Sequence, residues 1–232
     1  LGEAGLLGGP IDPAHGGRGW THVQWALALM ELGAVDSSWR GFATVQTCLC
    51  GMLIERFGTD AQRSALLPGL TSGRAIFAYA LTEPEAGTDV ASLRTTATAD
   101  GDGWQLHGTK HWITNGGVAD VLLVFATVDP NLGAKGLTGF LLTTDREGVQ
   151  RTPMPGVDLG HRGSDHAVIE LRDVVAAESE VVGDVGAGFR IAMNGLREEH
   201  SEIGDLHQNI SKILSQTRFA PKYLENTFPN DL

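Results

Sequence analysis

Three short stretches concentrate residue types that do chemistry. In TEPEAGTDV, residues 82–90, Thr82 and Thr88 bracket two acids, a proline and Gly87. An open turn of this kind exposes backbone N–H groups and adds two hydroxyls, which suits a polar, planar or phosphate-bearing ligand. The same residues also make an ordinary loop. In KHWITNGG, residues 110–117, Trp112 and Thr114 stand two apart at the end of a strand-like run and so share a face. A large ring beside a hydroxyl offers a flat aromatic ligand both packing area and one directional hydrogen bond. A half-buried tryptophan in a barrel is the plainer alternative. In LREEHSEIG the apolar stripe from Leu196 to Ile203 passes through Glu199 and His200. A carboxylate on such a stripe is costly unless paired or used. Glu199 either reaches the helix edge and pairs with Arg197 or His200, or acts as a general base strengthened by desolvation.

Other chemistries lack their residues. No GxGxxG follows a strand and no GxxxxGK[ST] occurs, so neither a nicotinamide Rossmann site nor a P-loop is supported. Ser164, Asp165 and His166 are hydrolase residue types, but neighbours on a strand face opposite sides and form no triad. His107 and His111 are four apart in a strand-like context, so no metal site is expected of them. Asp100 and Asp102 resemble the start of a calcium loop, yet its twelfth position holds His111. A net charge of −11 argues against nucleic-acid binding by bulk electrostatics.

The elements that must position these residues separate by period. Residues 20–74 read as helices: Trp25, Leu27, Leu29 and Leu32, then Leu49, Leu53, Ile54 and Phe57, fit broad apolar faces. Gly58 ends one helix and Thr59–Asp60 caps the next. Pro10 to Gly19 reads as a loop. From 75 to 182 short runs rich in β-branched and aromatic residues alternate with turns at Asp100–Gly103, Asp129–Gly133 and Arg146–Gly148. DGDGW predicts a tight hairpin. From Ala187 the helical period returns through Leu196, Ile203, Leu206, Ile210 and Ile213.

The chain has 232 residues, 42% of them apolar, enough for a core in one large or two small domains. No apolar run approaches the length of a membrane span. Cys48 and Cys50, two apart on a helix, point to different faces and make no disulfide framework. A reducing compartment is expected. The N-terminus lacks the basic start and apolar core of a signal peptide. It also lacks Met, so the expectation is a chain that begins within a longer protein. Two of four lysines (Lys212, Lys222) and three of six asparagines (Asn209, Asn226, Asn230) fall after residue 200. That tail is either foreign to the rest or simply a polar terminus.

AHGGRG, FGTDAQRSALLPGLTSG, YALTEPEAGTDV, GTKHWITNGGVAD, LGHRGSDHAVIELRDVV and VVGDVGAGF, in this order, resemble the acyl-CoA dehydrogenase family of flavoenzymes from about Gly5 to Glu199. TEPxAG[ST]D followed by KxWITN is highly specific. The resemblance implies an α+β fold. It places an N-terminal helical domain at 1–76 and a middle antiparallel, β-barrel-like domain at 77–184. The start of a C-terminal helical domain falls at 185–232. It implies FAD held by Tyr79, Leu81, Thr82, Gly87, Thr88, Trp112 and Thr114, with Thr88 also near the pantetheine arm of the substrate. It implies α,β-dehydrogenation of an acyl-CoA thioester, with electrons passed to an electron-transfer flavoprotein by a homo- or hetero-oligomer. The setting is the cytoplasm in a bacterium or the mitochondrial matrix in a eukaryote.

In one branch of the family the base is the Glu of a Glu-Arg pair on the first helix after the β domain. Glu199 falls on that position, with Arg197 and His200 expected near the substrate. His200 replaces the Arg of the pair, which puts substrate binding in question. Most of the C-terminal bundle, including an Arg-x-x-Phe-Gly segment, is absent. A non-catalytic relative or partner subunit with weak or no FAD binding is therefore the alternative. An oxidase or monooxygenase on the same fold is a third reading.

Overall fold

A computed structural model describes residues 1–155 and 161–197. Four helices form the first layer: α1 (His22–Val35), α2 (Ser37–Thr44), α3 (Met52–Phe57) and α4 (Asp60–Ser72). A π-helical segment, Val45–Gly51, joins α2 to α3. The loop at Pro10–Gly19 contains one 3-10 turn, Pro13–His15. Capping boxes start α1 and α4: the Oγ1 of Thr21 and Thr59 accept from Gln24 and Gln62 N–H, and each glutamine accepts back from its cap residue. Gly58 ends α3 in extended backbone.

On α1, Trp25 and Leu29 are buried four residues apart, whereas Leu27 is 47% exposed. The sequence grouped Leu27 with them. At 100° per residue it points about 200° from Trp25, so it faces away from the core.

Eight strands follow: β1 (Phe77–Ala80), β2 (Thr96–Asp100), β3 (Gly103–Thr114), β4 (Val121–Thr127), β5 (Leu137–Thr143), β6 (Val149–Pro153), β7 (His166–Ala177) and β8 (Val181–Val182). Their order is β6-β7-β3-β2-β4-β5-β8, with β1 also on β4. Most pairs are antiparallel. β1 runs parallel to β4, and β2 meets β4 at one parallel pair, Thr96 with Thr127, so the sheet is mixed. The β2–β3 hairpin closes through Gly101 and Asp102, with Gly101 at φ 59 as its left-handed turn requires. A last helix, α5, runs through 188–197.

β1 and β4 are buried on both faces. Phe77, Tyr79, Leu123 and Phe125 pack toward the helices with Leu49, Leu53, Ile54, Leu67 and Leu70. Ala78, Ala80, Leu122 and Val124 pack the other way with Leu106, Phe140, Ile169 and Val174. This period-two division makes one strand pair serve two cores. Helix α5 sits close on β5: a Cβ on Gly188 would lie 2.6 Å from Leu137 C and Thr138 N. Gly186 N–H donates to Thr138 Oγ1 at 2.9 Å just before it.

Cys48 and Cys50 do face different ways. Cys48 Sγ accepts from Trp25 Nε1 at 3.2 Å in a small cluster under α1, and Cys50 lies in the core shared with the sheet.

Candidate functional site

The TEPEAG stretch forms a tight turn. Glu83 and Ala86 exchange backbone hydrogen bonds of 3.0 and 3.3 Å around Pro84 and Glu85. The Glu83 side chain turns inward and is 6% exposed. Its Oε2 accepts from Arg94 N at 2.6 Å, and its Oε1 accepts from Thr95 N at 3.0 Å and Lys110 Nζ at 2.8 Å. The whole loop from Glu83 to Thr95 is thus tied around one carboxylate.

Lys110 is fully buried. Its ammonium donates to Glu83 Oε1, to Leu81 O at 3.1 Å and to Phe125 O at 2.6 Å, so all three protons have acceptors. Burial draws its pKa down to about 8 against the pull of Glu83, leaving it protonated at neutral pH. Burial pushes the Glu83 carboxyl up. The Lys110 ammonium and the amide donors outweigh that and hold it below the usual carboxylate range.

Two residues beyond Lys110 the strand bulges. Lys110 pairs with Ile169 and Ile113 with Ala167, so His111 and Trp112 face the single Val168. Trp112 takes φ 57 there, uncommon for a residue with a side chain. Its indole is 53% exposed and lies 6.4 Å from the His166 ring, steeply tilted. The bulge also turns His111 N–H onto Thr82 O at 2.8 Å, joining the TEPEAG loop to the tryptophan. Past the strand, Asn115 takes φ 66, and Asp165 Oδ2 accepts from Gly117 N at 2.5 Å. Asp165 is a turn former here. Next to it, Gly163 N donates to Ser38 Oγ at 3.1 Å, docking the start of β7 on α2.

Thr82, Trp112 and Thr114 are brought to one edge: Thr82 through His111, and Thr114 opposite His166 in the ladder. Thr82 and Thr114 are half-buried and Thr88 is exposed. Among the described residues the hydroxyls of all three make no hydrogen bond, so each is available to a ligand. Gly87 is exposed, with open space where a Cβ would stand. No described hydrogen bond links Gly87 or Thr88 to β3. Tyr79 and Leu81 are buried in the helix-facing core. The Tyr79 ring lies 5.2 Å from Phe125, and its hydroxyl donates to Ala192 O of α5 at 3.3 Å. Arg197, exposed, is the last described residue of α5. Glu199 and His200 lie outside the described residues.

The sequence reading passed over Lys110 and Glu83. Their signal was present: Lys110 continues the inward-facing series of Leu106, and the acid it needs stands in the other conspicuous stretch.

A helical layer on a mixed sheet, with an exposed aromatic and the unspent hydroxyls of Thr82 and Thr114 near one strand end, defines an α+β protein with a candidate ligand edge there. Residues 1–74 match the family described as acyl-CoA dehydrogenase, N-terminal domain, and residues 78–174 match acyl-CoA dehydrogenase, middle domain. The chain belongs to this family of flavoprotein oxidoreductases. It is 35% identical over 196 residues to the short-chain specific acyl-CoA dehydrogenase of Clostridium acetobutylicum, covering 84% of this chain and 52% of that one. The structure of butyryl-CoA dehydrogenase from Megasphaera elsdenii superposes with a TM-score of 0.84 at 31% identity, over 92% of this chain and 57% of that one. A glutaryl-CoA dehydrogenase from Mycobacterium smegmatis in complex with FADH2 superposes with a TM-score of 0.81 at 37% identity, over 87% and 50%. The chain spans about half the length of the curated relatives it matches. Among the described residues no helix is long and apolar enough to cross a membrane.

Proposed function

We propose that this chain binds FAD and serves the α,β-dehydrogenation of an acyl-CoA thioester, electrons leaving to an electron-transfer flavoprotein. The observation that carries the reading is the edge where Trp112 stands exposed beside the uncommitted hydroxyls of Thr82 and Thr114. An indole face gives a flat ring system packing area, and threonine hydroxyls give its polar rim directed hydrogen bonds.

FAD, when bound, supplies the redox chemistry by accepting the β-hydrogen as hydride. The chain supplies the rest. Trp112 and Thr114 would cover and orient the ring. Thr82, Gly87 and Thr88 would offer backbone and hydroxyl groups to the ring edge and pyrophosphate, with Thr88 also toward the pantetheine arm. Tyr79 and Leu81, buried beneath, support the strand that presents Thr82. Glu199 would take the α-proton on its carboxylate, and Arg197 and His200 would contribute to substrate binding. The division into 1–76, 77–184 and 185–232, a homo- or hetero-oligomeric assembly, and a cytoplasmic or mitochondrial-matrix setting belong to the same proposal.

The test is flavin absorbance of the purified chain, followed by anaerobic titration with a panel of acyl-CoA thioesters. A yellow protein that bleaches supports the reading, and Glu199→Gln should stop bleaching while FAD stays bound. A colourless protein that co-purifies with another chain would favour a non-catalytic partner subunit. Oxygen consumption without an added acceptor would mark an oxidase.

A further inference from the structure

The buried Lys110–Glu83 pair is more than the fold needs. A buried ion pair carries a desolvation cost that an apolar pair of similar volume avoids, so its presence is weak evidence for a stabilising role. Its placement is specific. Lys110 holds Leu81 O and Glu83 Oε1, the residues on either side of Thr82. The next residue, His111, holds Thr82 O itself. Trp112 follows on the bulge at φ 57. On the other side, Glu83 gathers the amides of Arg94 and Thr95 and so closes the loop that carries Gly87 and Thr88. One ammonium and one carboxylate thereby set the distance between a loop with two ligand hydroxyls and a strand with the aromatic.

We propose that Lys110 and Glu83 are positioning residues: the pair holds the loop of Thr82–Thr88 in register with the bulge of Trp112, so that both meet one ligand. The inference rests on the FAD reading for the identity of that ligand. Both side chains are buried, at 0% and 5% exposure, so neither is presented to a ligand at that edge. Both act through the Thr82 loop, held by Lys110 at Leu81 O and Glu83 and by His111 N–H at Thr82 O, and through the strand that carries Trp112 one residue on. Hydrogen bonds from a charged group to three fixed oxygens hold geometry more tightly than apolar packing, which tolerates sliding.

Two measurements on the 232-residue chain separate this from plain stabilisation. In the first, the chain carries 5-fluorotryptophan and lacks FAD, and the Trp112 resonance is assigned with Trp112→Phe. Lys110→Met should shift or broaden that resonance and leave the buried Trp25 resonance in place. In the second, FAD affinity by flavin fluorescence should fall at least tenfold in Lys110→Met, measured on protein whose circular dichroism is native. Where Lys110→Met does not fold, Lys110→Met/Glu83→Gln, which removes both charges together, takes its place. A folded variant with an unmoved Trp112 resonance, or with unchanged FAD affinity, overturns the proposal. If the wild-type chain takes up no FAD, the cofactor reading falls, and the Trp112 resonance alone decides the positioning role.

Discussion

Gln46 Oε1 accepts the backbone N–H of Phe77 at 2.7 Å, while its Nε2 donates to Ala75 O at 2.7 Å and Leu70 O at 3.2 Å. This one buried side chain in the π-helical segment therefore satisfies the end of α4 and the start of β1 together. It fixes where the strand leading to Thr82 enters the sheet. Gln46→Leu keeps a similar volume and strands the Phe77 N–H and Ala75 O, while Leu70 O retains the Gly73 N–H at 3.1 Å. At about 1–3 kcal/mol for each buried group left unpaired, the loss should reach at least about 2 kcal/mol. Urea unfolding measures it, and a change near zero would mean that water reaches the site.

Trp112 should separate stability from binding. Its side chain is half exposed, so Trp112→Ala gives up only about half of its apolar area, roughly 100 Å². Unfolding free energy should fall by no more than about 2–3 kcal/mol, below the cost of truncating a fully buried aromatic. FAD affinity should fall at least about tenfold, the worth of one aromatic face. Thermal melts and flavin titration of the same sample read both. A large drop in melting temperature with unchanged flavin binding would make this residue part of the core.

Acid should erase the contribution of Glu83. Its folded carboxyl sits below the usual range, so its stabilisation is present above the unfolded value of about 4.3. It is lost as pH falls through the folded value. Glu83→Gln should cost about 3–5 kcal/mol at pH 7 by leaving Lys110 buried without its counter-charge. The gap to wild type should shrink as urea unfolding is repeated below about pH 4. A gap independent of pH would show that the loss is steric. Lys110 adds the opposite window: its folded pKa of about 8 lies under the unfolded 10.4, so the stability linked to it rises between those values.

The two thiols should be silent in the native protein. Cys48 and Cys50 are both fully buried, and burial pushes the Cys50 thiol up. Since the thiolate is the reacting form, an aromatic disulfide reagent should find no fast thiol in buffer and two in urea. One fast equivalent in buffer would reveal an opening of the helical layer at the π-helical segment.

Much of this was legible in single residues. Thr59 and Gln62 mark a helix start by their spacing, and Gly101 marks a turn because glycine takes a positive φ without strain. TEPEAGTDV and KHWITNGG were conspicuous because glycine, threonine and tryptophan interrupt apolar β runs. Less legible were the parallel placement of β1 beside β4 and the exposure of Leu27. The former depends on which strands find each other across forty or more residues, and the latter on which side of α1 meets a partner. Period alone names a face without saying what covers it.

Local chemistry and spacing determined the helical layer, the strand runs, the caps and the two stretches that form the candidate site. Those follow from backbone torsion and side-chain period, which are properties of neighbours in the chain. Only the tertiary structure decided that Glu83 and Lys110 meet in the interior, that the bulge at His111 and Trp112 turns the indole outward, and that Tyr79 points into the core. Each depends on groups distant in sequence sharing one low-dielectric space. There a charge must find its partner, and an extra residue in one strand must be taken up by its neighbour.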